Sequence, residues 1–106
     1  MATLTLIDII QDIHAMDEEL WHYESRYGLR SRYFYELYQM GKLRDEDPRE
    51  SRDYADWAAC YDIRRHREEL YDRLVAATLQ WVQPQQRVSL ADLRLTLQPE
   101  AIPARL

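Results

Sequence analysis

The sequence predicts an all-α chain: an antiparallel helical hairpin of two long helices with a short connecting helix and an extended or partly ordered C-terminal tail. Three observations lead there. The 106 residues hold only two glycines, Gly28 and Gly41, and each follows a stretch with helical apolar spacing. Neither Gly nor Pro interrupts the chain between Pro48 and Pro84. The first stretch keeps an a/d seam for three heptads, the pattern of a helix packed along its length on another. A chain this long forms one domain with a modest core. Residues 1–83 read as the helical hairpin domain and 84–106 as the tail.

The first helix is expected to start at Thr5, an N-cap with Asp8 three residues on, and to run to about Tyr27. Leu6, Ile13, Leu20 and Tyr27 hold one seam position; Ile9, Met16 and Tyr23 hold the other. Ile7, Ile10 and Trp21 widen the stripe toward further neighbours. Gly28 suits the left-handed residue that closes a helix. Ser31 can cap a short second helix, Arg32 to Met40, with Phe34, Leu37 and Tyr38 facing inward and Gly41 closing it. Asp47-Pro48-Arg49-Glu50 then reads as a helix start, with Asp at the N-cap and Pro at the first helical position. From there one helix is expected as far as Val82.

Length comparison turns this layout into a claim about surface. The third helix spans roughly 54 Å and the first roughly 35 Å, at 1.5 Å per residue. With the two antiparallel, Trp57 comes beside Tyr23 and Tyr27, and about 20 Å of the third helix overhangs at its far end. Leu70, Tyr71, Leu74, Val75, Ala77, Leu79, Trp81 and Val82 lie on that overhang, and of these Leu70, Tyr71, Leu74, Val75, Trp81 and Val82 are the expected partner-binding residues. A patch of that size calls for the tail, a second copy or a partner to cover it. The tail opens with the polar hinge Gln83-Pro84-Gln85-Gln86-Arg87. From Val88 to Leu97 two patterns compete: Leu93, Leu95 and Leu97 alternate like a strand, while Ser89 could cap a helix carrying Leu90, Leu93 and Leu97. The extended form is preferred, since a strand without a mate in its own chain would seek a partner's sheet edge. Leu93, Leu95 and Leu97 therefore join the expected partner-binding residues.

Eight Tyr and three Trp against one Phe favour half-exposed positions, where a ring packs and a polar tip meets water. Amphipathic rings serve a core rim and a partner surface alike. The net charge is −5 and unevenly spread. Residues 1–60 carry 13 acids against 7 bases, and residues 61–106 carry 6 against 7. A negative balance argues against generic phosphate-backbone binding. The acidic first half suits a basic partner. One cysteine, Cys60, leaves no internal disulfide and fits a reducing cytoplasm. No signal peptide is expected, as Met1 is followed by no basic region and Asp8 and Asp12 break the apolar run. Without an 18-residue apolar stretch, no membrane span is expected either.

Catalytic chemistry finds no foothold. His14, His22, His66 and Cys60 never stand four apart, and Asp17-Glu18-Glu19 point to different faces of a helix, so no metal site is expected. Cys60, beside Trp57 and Tyr61, reads as a small packed thiol. His66 near Asp62 is an ordinary helix-surface pairing, and no Gly-rich loop exists to cradle phosphate. Arg26, Arg30 and Arg32 interleave with Tyr27, Tyr33 and Tyr35, an arrangement that could stack bases. Arg64, Arg65 and Arg67 form a second basic group, read as a solvated face paired along its own helix with Glu68, Glu69 and Asp72, as Glu69 with Arg73 at i, i+4.

The middle of the chain carries Tyr27-Gly28-Leu29, Phe34, Gly41-Lys42-Leu43-Arg44-Asp45, Asp53, Asp56-Trp57 and Tyr61. This resembles small prokaryotic helical-hairpin proteins with the pattern YGM…EF…GELGDD…D…W…Y, often encoded beside a small toxin and taken to be antitoxins. The likeness covers roughly Leu20 to Leu74; Lys42 and Arg44 depart from it, standing where the pattern has acidic and small residues. It implies no catalytic residue and no cofactor, and gives the matching aromatic and acidic positions structural and contact roles. The expected function is that of a cytoplasmic antitoxin-like protein, not an enzyme, which masks a cognate toxin through apolar helix faces. Acidic Asp45, Glu46, Asp53 and Asp56 would meet the toxin's basic surface. The alternatives are a homo-oligomeric scaffold or adaptor, in which two long helices bury their overhangs on each other, and a single-strand nucleic-acid binder using the Arg/Tyr region.

Overall fold

In a computed structural model of the chain, residues 3–96 and 102–103 are described. Among the described residues four helices carry the structure: α1 (Leu6–Tyr27), α2 (Ser31–Gln39), α3 (Pro48–Leu79) and α4 (Leu90–Thr96). Two short strands, β1 (Thr3–Leu4) and β2 (Ile102–Pro103), pair antiparallel, with Thr3 opposite Pro103 and Leu4 opposite Ile102.

Local chemistry explains each boundary. Thr5 and Asp8 form a reciprocal capping box: Asp8 N–H donates to Thr5 Oγ1 at 3.1 Å and Thr5 N–H to Asp8 Oδ2 at 3.0 Å. Gly28, at φ 68°, closes α1 in the left-handed region. Asp47 caps α3 by accepting from Arg49 N–H at 2.8 Å, with Pro48 behind it as the first helical residue. α3 ends at Leu79, three residues short of the expected Val82. Trp81 N–H and Val82 N–H turn back instead to the carbonyls of Thr78 and Leu79.

α2 begins one residue earlier than its sequence suggests, and for a different reason. Arg30 is the N-cap, and its side chain makes no capping bond. The Ser31 hydroxyl, expected to cap, is 3% exposed and points into the core.

α1 and α3 run in opposite directions, since Asp12, Asp17 and Arg26 meet Arg67, Arg64 and Asp53 in turn. Their seam holds two apolar clusters. Near the α1–α2 turn, Leu20, Phe34, Trp57 and Ala58 are buried, with Tyr23, Tyr27, Leu29, Tyr54 and Tyr61 packed around them. At the opposite end, Leu6, Ile9 and Leu70 are buried, flanked by Ile13, Tyr71 and Leu74. The a/d positions of α1 thus face α3. Ile7 and Trp21, expected to widen that stripe, are instead 41% and 62% exposed, because each stands one position outside the a/d seam that faces α3.

The tail corrects a second expectation. Leu90–Thr96, expected to be extended, is helical. The Ser89 hydroxyl accepts from Asp92 N–H at 3.1 Å, so the cap prevails over the strand-like alternation of the leucines. The preceding hinge is an ordered turn: Gln86 N–H donates to the Gln83 carbonyl at 2.9 Å, and Gln83 N–H to Gln86 Oε1 at 3.0 Å. Pro84 sits at the second position of that turn, where its fixed φ fits.

Candidate functional site

At the α2 end, polar groups organise an aromatic stack. The rings of Phe34 and Trp57 lie parallel with centroids 3.8 Å apart, and Tyr23 and Tyr27 stack on Trp57 at 5.6 and 5.7 Å. Trp57 Nε1–H donates to Ser31 Oγ at 2.9 Å. Ser31 Oγ–H and Ser31 N–H in turn donate to Glu24 Oε2 at 2.8 and 2.7 Å. One carboxylate on α1 thereby holds the start of α2 and, through it, the indole of α3. Asp53 does similar work nearby, accepting from Tyr27 Oη at 2.7 Å and Arg26 Nη1 at 2.6 Å. The Tyr27 bond, and then Arg26, hold the Asp53 carboxyl below its usual value. Burial, reinforced by Asp53, pushes the Tyr27 phenol up to about 12.

Of the residues that carry the resemblance, Tyr27, Leu29, Phe34, Leu43, Trp57 and Tyr61 pack in this cluster, and Asp53 bonds Tyr27. Their visible role is to pack and to bond one another. Cys60 is half-buried at its margin, and burial raises its thiol pKa, which keeps the sulfur protonated. Among the described residues, no group of three His, Cys, Asp or Glu could hold a metal ion. Likewise, no described helix is long and apolar enough to cross a membrane.

The second basic group is not a face paired only along its own helix. Arg64 reaches across to Asp17 as well as down to Glu68, and Arg67 donates to Asp12 at 3.0 Å. These bonds clamp α1 to α3. In the Arg/Tyr region, Arg32 Nη2–H donates to Tyr33 Oη at 2.6 Å and its guanidinium lies over that ring, while Arg30 pairs with Glu24.

The far end of α3 is the exposed apolar region. By helix lengths α3 outreaches α1 by about 15 Å, 32 residues against 22. Of the residues expected on the overhang, Leu70 belongs to the core instead, at 6% exposed, because the first turn of α1 reaches it. Tyr71 and Leu74 are half-buried against the same cluster. Val75 and Val82 are half-buried and Trp81 is 81% exposed. Leu93 lines a cleft of about 250 Å³ between α3 and α4, with Thr78, Trp81, Val82 and Val88 around it. Leu95 lies in α4, but its side chain falls outside the described residues, as does Leu97 altogether.

Leu79, expected on the overhang, is 45% exposed, and Val88 and Leu90 add to this surface at 42% and 80%. For Leu90 the signal was present in the alternative helix reading of Ser89 to Leu97. α4 faces α3 across that cleft, and Leu79, Trp81, Val88 and Leu90 stay exposed at this end. The chain matches no protein-family model, no curated protein and no solved structure.

Proposed function

We propose that this chain is an antitoxin-like binding protein, which neutralises a small cognate toxin by masking it. In this reading residues 1–83 are an antiparallel helical hairpin in the cytoplasm, and 84–106 are an arm that helps to hold the toxin. The observation that carries the reading is the bare apolar end of α3 and its turn: Trp81 at 81% exposed, beside Leu79, Val88 and Leu90. Large rings with this exposure are the side chains from which binding hot spots are built. The resemblance between Leu20 and Leu74 supplies the partner class, and the acidic first half supplies charge for a basic toxin. Asp45, Glu46 and Asp56 are exposed and available for that contact. Asp53 is engaged by Tyr27 and Arg26 and serves the fold.

The test is co-expression of the chain with the small protein encoded beside it. The neighbour alone is expected to arrest growth, and the chain to restore it and co-purify with it. Trp81→Glu should abolish both effects while helicity is kept. If the neighbour is harmless, or no complex forms, the reading fails.

A further inference from the structure

We infer that, in the free protein, the bare end of α3 and α4 is covered by a second copy of this chain in a two-fold dimer. This goes beyond the toxin reading and does not rest on it. The first argument is area. A compact monomer of 12.8 kDa is expected to expose about 6,300 Å². This chain exposes 8208 Å², an excess of about 1,900 Å². A specific interface needs only about 800 Å² from each partner. Shape agrees with area: the radius of gyration is 17.7 Å, against about 13 Å for a compact domain of this length.

The second argument is charge. In a two-fold interface each patch meets its own copy, so a patch with net charge repels itself. Residues 74–96 hold two bases, Arg87 and Arg94, and one acid, Asp92, so little like charge meets there. Residues 1–60, with 13 acids and 7 bases, would oppose self-association. Joining the far ends brings these nearly neutral segments together and leaves the acids from Glu24 to Asp56 at the α2 end, away from the contact. α4 supplies the third argument. A seven-residue helix is too short to persist by itself, and beside its cleft with α3 it still leaves Leu90 80% exposed. A second copy gives Leu90 and Leu93 an apolar surface to rest on. Toxin binding at this face would then proceed by exchange with the second copy.

Light scattering on the full chain tests the inference, with no toxin present. At tens of micromolar the expected mass is that of two 12.8 kDa chains. Trp81→Glu with Leu79→Glu should raise the dissociation constant roughly thirtyfold or more, the loss seen when a central interface Trp is removed. Circular dichroism checks that the helices persist; if that variant unfolds, Leu90→Glu takes its place. A further readout uses the native fold: the emission difference between wild type and Trp81→Phe, which isolates Trp81, should shift red on dilution. A monomeric wild type overturns the inference. So does a dimer that survives the far-end substitutions and dissociates with Trp21→Glu, which would place the contact elsewhere. Either result leaves the toxin reading to its own experiment.

Discussion

Ser31 shows how much one hydroxyl can organise when it is buried. It accepts from Trp57 Nε1–H and donates to Glu24, so its removal leaves an indole N–H and a carboxylate short of a partner. Ser31→Ala is expected to cost about 1–3 kcal/mol, measured by urea denaturation; a loss below a few tenths would mean that water replaces it. Tyr27 and Asp53 give a pH signature. Tyr27 has its pKa raised from 10.0 to about 12, so its contribution is complete below pH 10 and is lost as pH rises toward 12. Asp53 has its pKa lowered, so its contribution is present at neutral pH and lost as pH falls through its folded value. Melting temperature should therefore decline at both extremes. Tyr27→Phe should make the alkaline decline shallower without abolishing it, since Tyr23, Tyr35 and Tyr54 are raised too. The importance of Trp57 was legible from its place beside Tyr23 and Tyr27. The Ser31 role was not, because a Ser after a helix break reads equally well as a cap.

Helix ends were the most legible elements. The Thr5–Asp8 box, Gly28, Gly41 and Asp47–Pro48 act through neighbours within four residues, so spacing alone identifies them. Gly28→Ala tests one of them: an added Cβ meets nothing within 4 Å, so the cost is conformational, roughly 1 kcal/mol at φ 68°. Asp47→Ala should cost about 1 kcal/mol through the lost cap of α3. α4 was harder to read, because its leucines satisfy a strand period and a helix period together. Ser89→Ala should decide its fate, abolishing helical NMR chemical shifts over 90–96 while those of α3 persist. Unchanged shifts would mean that packing, and not the cap, holds α4.

Across the whole molecule, cross-helix ion pairs set the register that spacing could not give. Arg67 with Asp12 and Arg64 with Asp17 place the first turn of α1 over Leu70, which withdraws that residue from the exposed surface. Only i, i+4 neighbours are visible in a linear chain, so spacing pairs those arginines along their own helix. Far-end dimerisation also makes stability depend on concentration. Melting temperature should rise as protein is raised from micromolar to hundreds of micromolar, since dimer formation favours the folded state by mass action. The Trp81→Glu, Leu79→Glu variant should show no such dependence.

By itself the sequence determined the helical class, the three punctuation points at Gly28, Gly41 and Pro48, the seam of α1 and the surplus length of α3. These follow from periodicity and capping, which are local. Only the tertiary structure decided where the overhang begins, that Ser31 faces the core, that Asp53 is engaged, and which apolar residues stay bare. Those depend on which side chains distant in sequence meet, and a one-turn slip of α1 along α3 would change them all while leaving every local signal intact.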